Sequence, residues 1–218
     1  MCQVLSINGQ TLSIPDFVAK FGLKVGYRFE NIEPEIAQRI RAFDALIAKH
    51  EAFWVNRLAT LKPYAIPYTV RTSHSKQKCY EQILTPVPQE VISFLERHGV
   101  WKDSDFVSAA FAAYLARIGG TNCFDIGFKD VDAQPNLVGL ESFFAEHVPF
   151  RVEVDSQRSF EEFFGTFAEQ LKLTKRRLSF ANDIVARYPV LREKPNLLGE
   201  NMFPVIIERV ERLDNHNV

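Results

Sequence analysis

The stretch from residue 147 to residue 154 alternates strictly between apolar and other side chains, and this period of two constrains the fold more than any other feature. The apolar set is Val148, Phe150, Val152 and Val154, and the intervening set is His147, Pro149, Arg151 and Glu153. Because successive side chains of a strand point to opposite faces of a sheet, the pattern predicts a β-strand with the apolar set on one face. The intervening set is predicted to lie on the outer face.

Three helices are predicted before this strand. The first begins at Pro34, which suits a first helical turn, and continues to about residue 61, before Pro63. The second lies between Pro88 and Gly99, and the third spans about 103 to 118. The third helix carries a wide apolar face made of Phe106, Val107, Ala110, Phe111, Tyr114, Leu115 and Ile118.

A fourth helix is predicted after the strand, because Ser159 and Glu162 have the spacing of a capping box. Its inward residues are predicted to be Phe160, Phe163, Phe164, Phe167 and Leu171. The helix is expected to end at residues 175–177, where three basic side chains suit the negative end of the helix dipole. A shorter helix is predicted over about 180–187.

Further strands are predicted on both sides of these helices. Residues 3–14 read as a hairpin around Asn8-Gly9, and 64–72 and 80–87 are candidate strands around a polar turn at 73–78. Residues 122–128 ("NCFDIGF") form a short buried strand, a polar loop follows over 129–139, and 202–210 ("MFPVIIERV") form the last strand. The predicted fold class is α/β or α+β, with a mixed sheet packed by helices. The predicted division is an N-terminal hairpin or extension over 1–33 and one domain over 34–218.

Composition and charge exclude several classes of protein. The 218 residues have a formal charge of −1, which implies no attraction to nucleic acid or to an anionic membrane. No apolar run approaches the roughly 18 to 20 residues that cross a bilayer, and the first residues do not resemble a signal peptide. The three cysteines have no CxxC spacing, which argues against a disulfide framework or a zinc site. A cytoplasmic location is therefore expected.

The five histidines do not form a recognisable catalytic or metal-binding pattern. They are His50, His74, His98, His147 and His216, and none belongs to an HxxH, HExxH or HxxxD motif. His50 and His98 are interpreted as structural, His74 and His216 as solvent-exposed, and His147 as the one histidine with a small chance of a functional role. There is also no GxSxG elbow and no phosphate-binding glycine loop. We therefore assign no catalytic, cofactor-binding or metal-binding residue from the sequence.

The order of segments resembles the condensation domains of nonribosomal peptide synthetases, from about residue 45 to 210. That family has a helix of the type LLAAFAAYLxRxTG, a strand ending in IG, a G-x-x-x-FF/FV-N-T-L-P-L-R strand motif and a helix opening S-F-x-E-L. The corresponding positions here are Ile126, Gly127, Gly139, Phe143, Phe144, Val148, Pro149, Phe150, Arg151, Ser159, Phe160 and Glu162. Weaker similarities involve Trp54 and Leu58 upstream and Phe180, Ile184, Val185, Asn201 and Phe203 downstream.

The resemblance implies part of a chloramphenicol-acetyltransferase-like lobe, but the family's catalytic HHxxxDG motif does not occur in the sequence. Two functions remain open. The first is a non-catalytic, truncated condensation-like region that serves as a docking platform for an adjacent adenylation domain. The second is an acyltransferase whose catalytic histidine comes from another segment or chain, or from an unusual residue such as His147. A third explanation is a piece cut from a longer catalytic protein.

The resemblance also implies the partners. These are the adenylation domain and the carrier domain of the same assembly line, and phosphopantetheine is expected only on the carrier. No metal or dissolved cofactor is implied. Because an incomplete sheet leaves an open edge, a homodimer or a tendency to aggregate is expected as well.

Overall fold

The computed structural model describes residues 4–7, 10–22, 24, 31–67, 83, 85–98, 103–129, 137–194, 197 and 202–208. Within these ranges the protein is a mixed α+β structure, with helices packed around a three-stranded sheet and a separate two-stranded hairpin. The predicted fold class is confirmed at this level.

The hairpin consists of β1 (Val4–Ile7) and β2 (Gln10–Ser13), which pair antiparallel with Ile7 opposite Gln10. This confirms the predicted hairpin, although its turn at 8–9 lies outside the described residues. A helix that the sequence did not predict follows directly, α1 (Ile14–Lys20). The Ser13 hydroxyl accepts a hydrogen bond from the Asp16 amide at 3.2 Å, which satisfies one of the free donors at the helix start.

The single helix predicted over 34–61 is interrupted. It consists of α2 (Pro34–Ile47), a 3₁₀ turn (Ala48–His50) and α3 (Glu51–Ala59). The interruption lets the two halves pack in different places. Phe43 and Ile47 of α2 join a small cluster with Phe144, whereas Trp54 and Leu58 of α3 join the main core.

The three-stranded sheet has the order β4-β3-β5. The strands are β3 (Cys123–Lys129), β4 (Val148–Glu153) and β5 (Ile206–Glu208); β3 is antiparallel to β4 and parallel to β5. β4 and β5 lie within predicted strands, whereas β3 extends one residue beyond its predicted strand, to Lys129, where the sequence places the start of a polar loop. The candidate strands at 64–72 and 80–87 are not observed in their described parts, 64–67, 83 and 85–87, and their other residues lie outside the described ranges. Instead, Pro63 forms an isolated bridge with Asp125 of β3.

The apolar face of the sheet is the one that the alternation predicts. Val148, Phe150 and Val152 are buried, and they lie opposite Phe128, Ile126 and Phe124 of β3. This face packs against α6 (Phe160–Arg177), where the Phe150 and Phe167 rings meet edge to face with centroids 4.9 Å apart.

The start of α6 is the predicted capping box: the Ser159 hydroxyl accepts from the Glu162 amide, and the Glu162 carboxylate accepts from the Ser159 amide. Of the five residues predicted to face inward, four are buried and Phe160 is exposed. The helix predicted over 180–187 is shorter, α7 (Ile184–Arg187), and is followed by α8 (Pro189–Arg192).

The two middle helices, α4 (Gln89–His98) and α5 (Asp103–Gly119), occur where the sequence places them. An apolar helix face is expected to pack against the core, but only part of the predicted face of α5 does so, namely the buried Leu115 and the partly buried Phe106. Its buried apolar residues are Ala109, Ala112, Leu115 and Ala116. Of the large apolar residues on the predicted face, Val107, Phe111, Tyr114 and Ile118 are exposed. Small side chains let the helix axis approach the core closely, so the alanine-rich side is the one that packs.

The end of α5 is held by Tyr64, which is buried and donates its hydroxyl to the Leu115 carbonyl at 2.9 Å. A Cβ atom at Gly119 would lie 2.9 Å from the Tyr64 ring and hydroxyl, closer than side chains tolerate. Glycine is therefore required here because the phenol fills the space.

We expect Gly119→Ala to destabilise the protein by roughly 1 to 3 kcal/mol, because the fixed Tyr64 ring must move. Gly165→Ala is the matched control, since it adds the same methyl group to a helix where nothing lies within 4 Å. It should stabilise α6 by roughly 0.5 to 1 kcal/mol. Urea unfolding measures both changes, and a stabilising Gly119→Ala would contradict the packing described here.

Candidate functional site

The second face of the sheet holds a buried ion-pair cluster built on Asp125, whose side chain is fully buried. Its Oδ2 accepts from the Lys62 amide at 2.7 Å and from Arg151 Nη2 at 2.8 Å, and its Oδ1 accepts from Arg151 Nε at 3.0 Å. A second guanidinium approaches from α3, with Arg57 Nη1 at 3.6 Å from Oδ1. Asp125 and Arg151 face each other directly across β3 and β4.

The cluster keeps a charged carboxylate stable inside the protein. Removing a carboxylate from water is costly unless charged hydrogen bonds replace the water, and the two-pronged contact with Arg151 does this. The hydrogen bonds that Arg151 donates to Asp125 raise the pKa of Arg151. Burial, followed by the neighbouring charge of Arg151, lowers the pKa of Arg57. The arrangement joins charged groups without exposing a reactive atom, so its geometry is that of a structural cluster.

The sequence did not identify this cluster, although its alternation places Arg151 correctly on the face opposite Val148, Phe150 and Val152. On that face Arg151 is only partly exposed, and it also donates from Nη2 to the Thr60 carbonyl at 2.6 Å. A usable signal was present: Asp125 lies within an apolar strand, and a buried carboxylate requires a cationic partner. The identity of that partner depends on strand register, which the sequence does not state.

A second polar group lies at the edge of the sheet where β3 and β5 end and β4 begins. Lys129 Nζ lies 2.6 Å from Glu146 Oε1 and 2.9 Å from Glu208 Oε1. Burial disfavours the Lys129 ammonium, but the two carboxylates outweigh burial and raise its pKa. The hydrogen bond from Lys129 lowers the pKa of Glu146.

A cavity of about 140 Å³ lies at this edge. Its described lining residues are Phe128, Lys129, Leu137, Val138, Glu141, Ala145, Glu146, Val148, Thr174, Lys175, Leu178 and Ser179. Ligands often bind at the carboxyl ends of parallel strands, which is where this cavity lies. Leu178 has φ of 57°, an unfavourable conformation for a residue with a side chain. Strained residues of this kind gather at binding sites, and the cavity is therefore the candidate ligand site.

His147 is close to this edge but is not among the described residues that line the cavity. It is half-buried, and burial is the main reason that its pKa is lowered from 6.5. Lys129 lowers the pKa further, while Glu146 and Glu208 raise it. The imidazole is therefore neutral near pH 7, which is the protonation state that a general base needs.

The other histidines are dispersed. Burial, Lys49 and Arg177 lower the pKa of His50, which ends the 3₁₀ turn. His98 is the last residue of α4, and His74 and His216 lie outside the described ranges. Where side chains are described, no group of three or more His, Cys, Asp or Glu could hold a metal ion. In the same part of the chain, no helix combines the length and apolar character needed to cross a membrane.

The most extensive exposed apolar feature of α5 is a stripe of four residues, which we call the α5 stripe. It consists of Val107, Phe111, Tyr114 and Ile118, and their exposed fractions are 42%, 41%, 56% and 39%. Their spacings of four, three and four residues place them on one side of the helix. Single exposed apolar residues are common, but a continuous stripe is typical of a surface that contacts another molecule.

The outer edge of β4 is a less suitable contact surface. The Asp125 and Gly127 amides of β3 point away from β4, because they donate to the carbonyl groups of residues 62 and 205. The hydrogen bonds between β3 and β4 are therefore made by the β3 residues that alternate with these two. The outer edge of β4 is therefore formed by Pro149, Arg151 and Glu153. Because proline has no N–H group, Pro149 removes a donor that a new strand would need. The homodimer through a sheet edge stays a prediction, and this residue disfavours it.

No protein-family model and no curated protein matches the sequence.

Proposed function

We propose that the chain is a non-catalytic condensation-like region of a nonribosomal peptide synthetase, and that it serves as a docking platform for an adjacent adenylation domain. The observation that carries the proposal is the α5 stripe. It lies in the segment "FVSAAFAAYLARIGG", which resembles the condensation-domain helix of the type LLAAFAAYLxRxTG. A helix that buries Ala109, Ala112 and Ala116 and exposes Phe111 and Tyr114 is suited to holding a partner.

The order of structural elements supports the family part of the proposal. The helix α5, the strand β3 with Ile126-Gly127, the strand β4 and the capped helix α6 follow one another as in the family pattern. The proposed fold is accordingly part of a chloramphenicol-acetyltransferase-like lobe. The motif arginine, Arg151, is engaged by Asp125 and Thr60, which is consistent with a structural use of this motif.

The non-catalytic part of the proposal rests on the absence of HHxxxDG from the sequence and on the position of His147. Without a base aimed into a cavity, the chain supplies a surface for its neighbours rather than a reaction centre. Phosphopantetheine belongs to the carrier domain in this scheme, and the proposed setting is the cytoplasm. The partner must present an apolar surface to the stripe, and a stable contact should bury on the order of 1,000 Å² or more.

We expect the adenylation domain of the same assembly line to melt several degrees higher when it is bound or fused to this chain. Phe111→Asp should abolish this stabilisation, because it places a charge at the centre of the α5 stripe. Leu173→Asp is the matched control, since Leu173 is also exposed at the surface of a helix but lies on α6. Thermal unfolding monitored by calorimetry measures the difference. Equal stability of the adenylation domain with and without the chain would overturn the proposal.

The alternative is an acyltransferase that forms an amide or ester from a carrier-bound thioester. One observation favours it, namely that His147 lies between Glu146 and Val148, which line the cavity, and that burial lowers its pKa. If His147 is not the catalytic histidine of this acyltransferase, that histidine comes from another segment or chain.

A reconstituted assay with loaded carriers distinguishes the two functions. The platform function predicts no product above background with the isolated chain. Product well above background that is lost in His147→Ala but kept in His50→Ala would establish the alternative instead.

A further inference from the structure

The cavity of about 140 Å³ at the edge of the sheet has an apolar floor in the part that the structure describes. The buried apolar residues of its lining are Phe128, Leu137 and Val148. The two buried hydroxyl groups of the lining already have acceptors. Thr174 donates to the Gln170 carbonyl at 2.9 Å, and Ser179 donates to the Ala145 carbonyl. The floor therefore offers a ligand apolar surface and no free hydroxyl donor.

The charged side chains of the lining lie at its more exposed rim and have partners within the protein. Lys129 contacts Glu146 and Glu208, and Glu141 accepts from a backbone amide at 3.0 Å. Lys175 also has an interaction partner.

The charges of the two lysines and two glutamates in the described lining cancel. Glu208 lies outside the lining, and its side chain is 39% exposed, so water screens its charge. A charged ligand would lose hydration in the cavity without meeting an excess of the opposite charge there. The lining therefore favours an uncharged ligand.

The size of the cavity fits a single ring, because an apolar cavity of roughly 150 Å³ holds a benzene molecule. The Phe128 side chain supplies an aromatic neighbour, and aromatic rings pack well against one another. Leu178 forms part of the wall and has φ of 57°. Glycine would adopt this backbone conformation without strain, so the leucine supplies an apolar wall at a cost in backbone strain.

We propose that this cavity binds a small uncharged molecule of the size of one aromatic ring, with the ring on the floor made by Phe128, Leu137 and Val148. The rim charges stay paired with their protein partners when the ring is bound. No residue of the α5 stripe is among the described residues of the lining, so the proposal is independent of the docking function.

The test is ligand-observed saturation-transfer NMR with three probes of one ring each: toluene, benzoate and benzylamine, which is a cation at pH 7. Toluene should bind with a dissociation constant on the order of 1 mM, as expected for a ligand of so few atoms. Both charged probes should bind at least roughly fivefold more weakly, because their charges must be desolvated. The proposal is overturned if toluene does not bind, or if either charged probe binds as tightly as toluene.

Two variants place the bound ring in this cavity. Val138→Glu puts a charge at the mouth and should weaken toluene binding at least roughly threefold. Val138 lines the cavity and is 63% exposed, so the substitution does not disturb the core. The matched control is Val190→Glu, since Val190 is 51% exposed on α8 and does not line the cavity. Ala145→Leu should also weaken binding, because it fills part of the space.

Phe111→Asp should leave toluene binding unchanged, because it alters the α5 stripe and not the cavity. Loss of binding in Phe111→Asp would show that toluene binds to the stripe, and it would overturn the proposal. Unchanged binding in Val138→Glu, or in a folded Ala145→Leu, would overturn it as well. The comparison of Val138→Glu with Val190→Glu remains decisive if Ala145→Leu does not fold.

Discussion

The buried carboxylate of Asp125 is the interaction on which the rest of the structure depends. Its side chain binds the backbone of residue 62 and the guanidinium of Arg151, and Arg57 of α3 approaches it from the side. The Asp125 backbone also pairs with residues 62 and 64. One residue thus connects the end of α3, the segment after it, and the strands β3 and β4. Such a connection fixes the orientation of β3 and β4 relative to α3, because a buried charge tolerates few alternative positions.

The two faces of the sheet consequently differ in chemical character and in what they contact. One face is the apolar core, where Val148, Phe150 and Val152 pack with the phenylalanines of α6. The other face is charged and is held in place by Asp125. With both faces engaged, the outer side of α5 is one exposed apolar surface within the described ranges, and the histidine near the motif, His147, remains beside the cavity rather than in its lining. This division favours a platform over a reaction centre.

The features that could be predicted from the sequence are those that local patterns determine. The strand β4 follows from its period of two, and the start of α6 follows from the Ser159 and Glu162 pair. The features that could not be predicted depend on distant partners. Asp125 and Arg151 are 26 residues apart and meet only through strand register. The sequence did not predict the exposed side of α5, because the helix has two apolar sides, one rich in alanine and one with larger side chains. The pattern alone does not determine which of the two sides faces the core. The interruption of the predicted helix at residues 48–50 likewise depends on distant contacts. The apolar residues before it pack in one cluster and those after it pack in another.

The most direct test of this account is the stability of Asp125→Asn in urea. The amide keeps the shape of the side chain but removes its charge, and it leaves two guanidinium groups without a carboxylate. The account predicts a loss of roughly 3 to 5 kcal/mol in the free energy of unfolding. Asp183→Asn, which removes an exposed carboxylate paired with Arg187 at 3.0 Å, should cost less than about 1 kcal/mol. If Asp125→Asn were as stable as the Asp183→Asn control, the buried carboxylate would not be the connection that holds the sheet to α3.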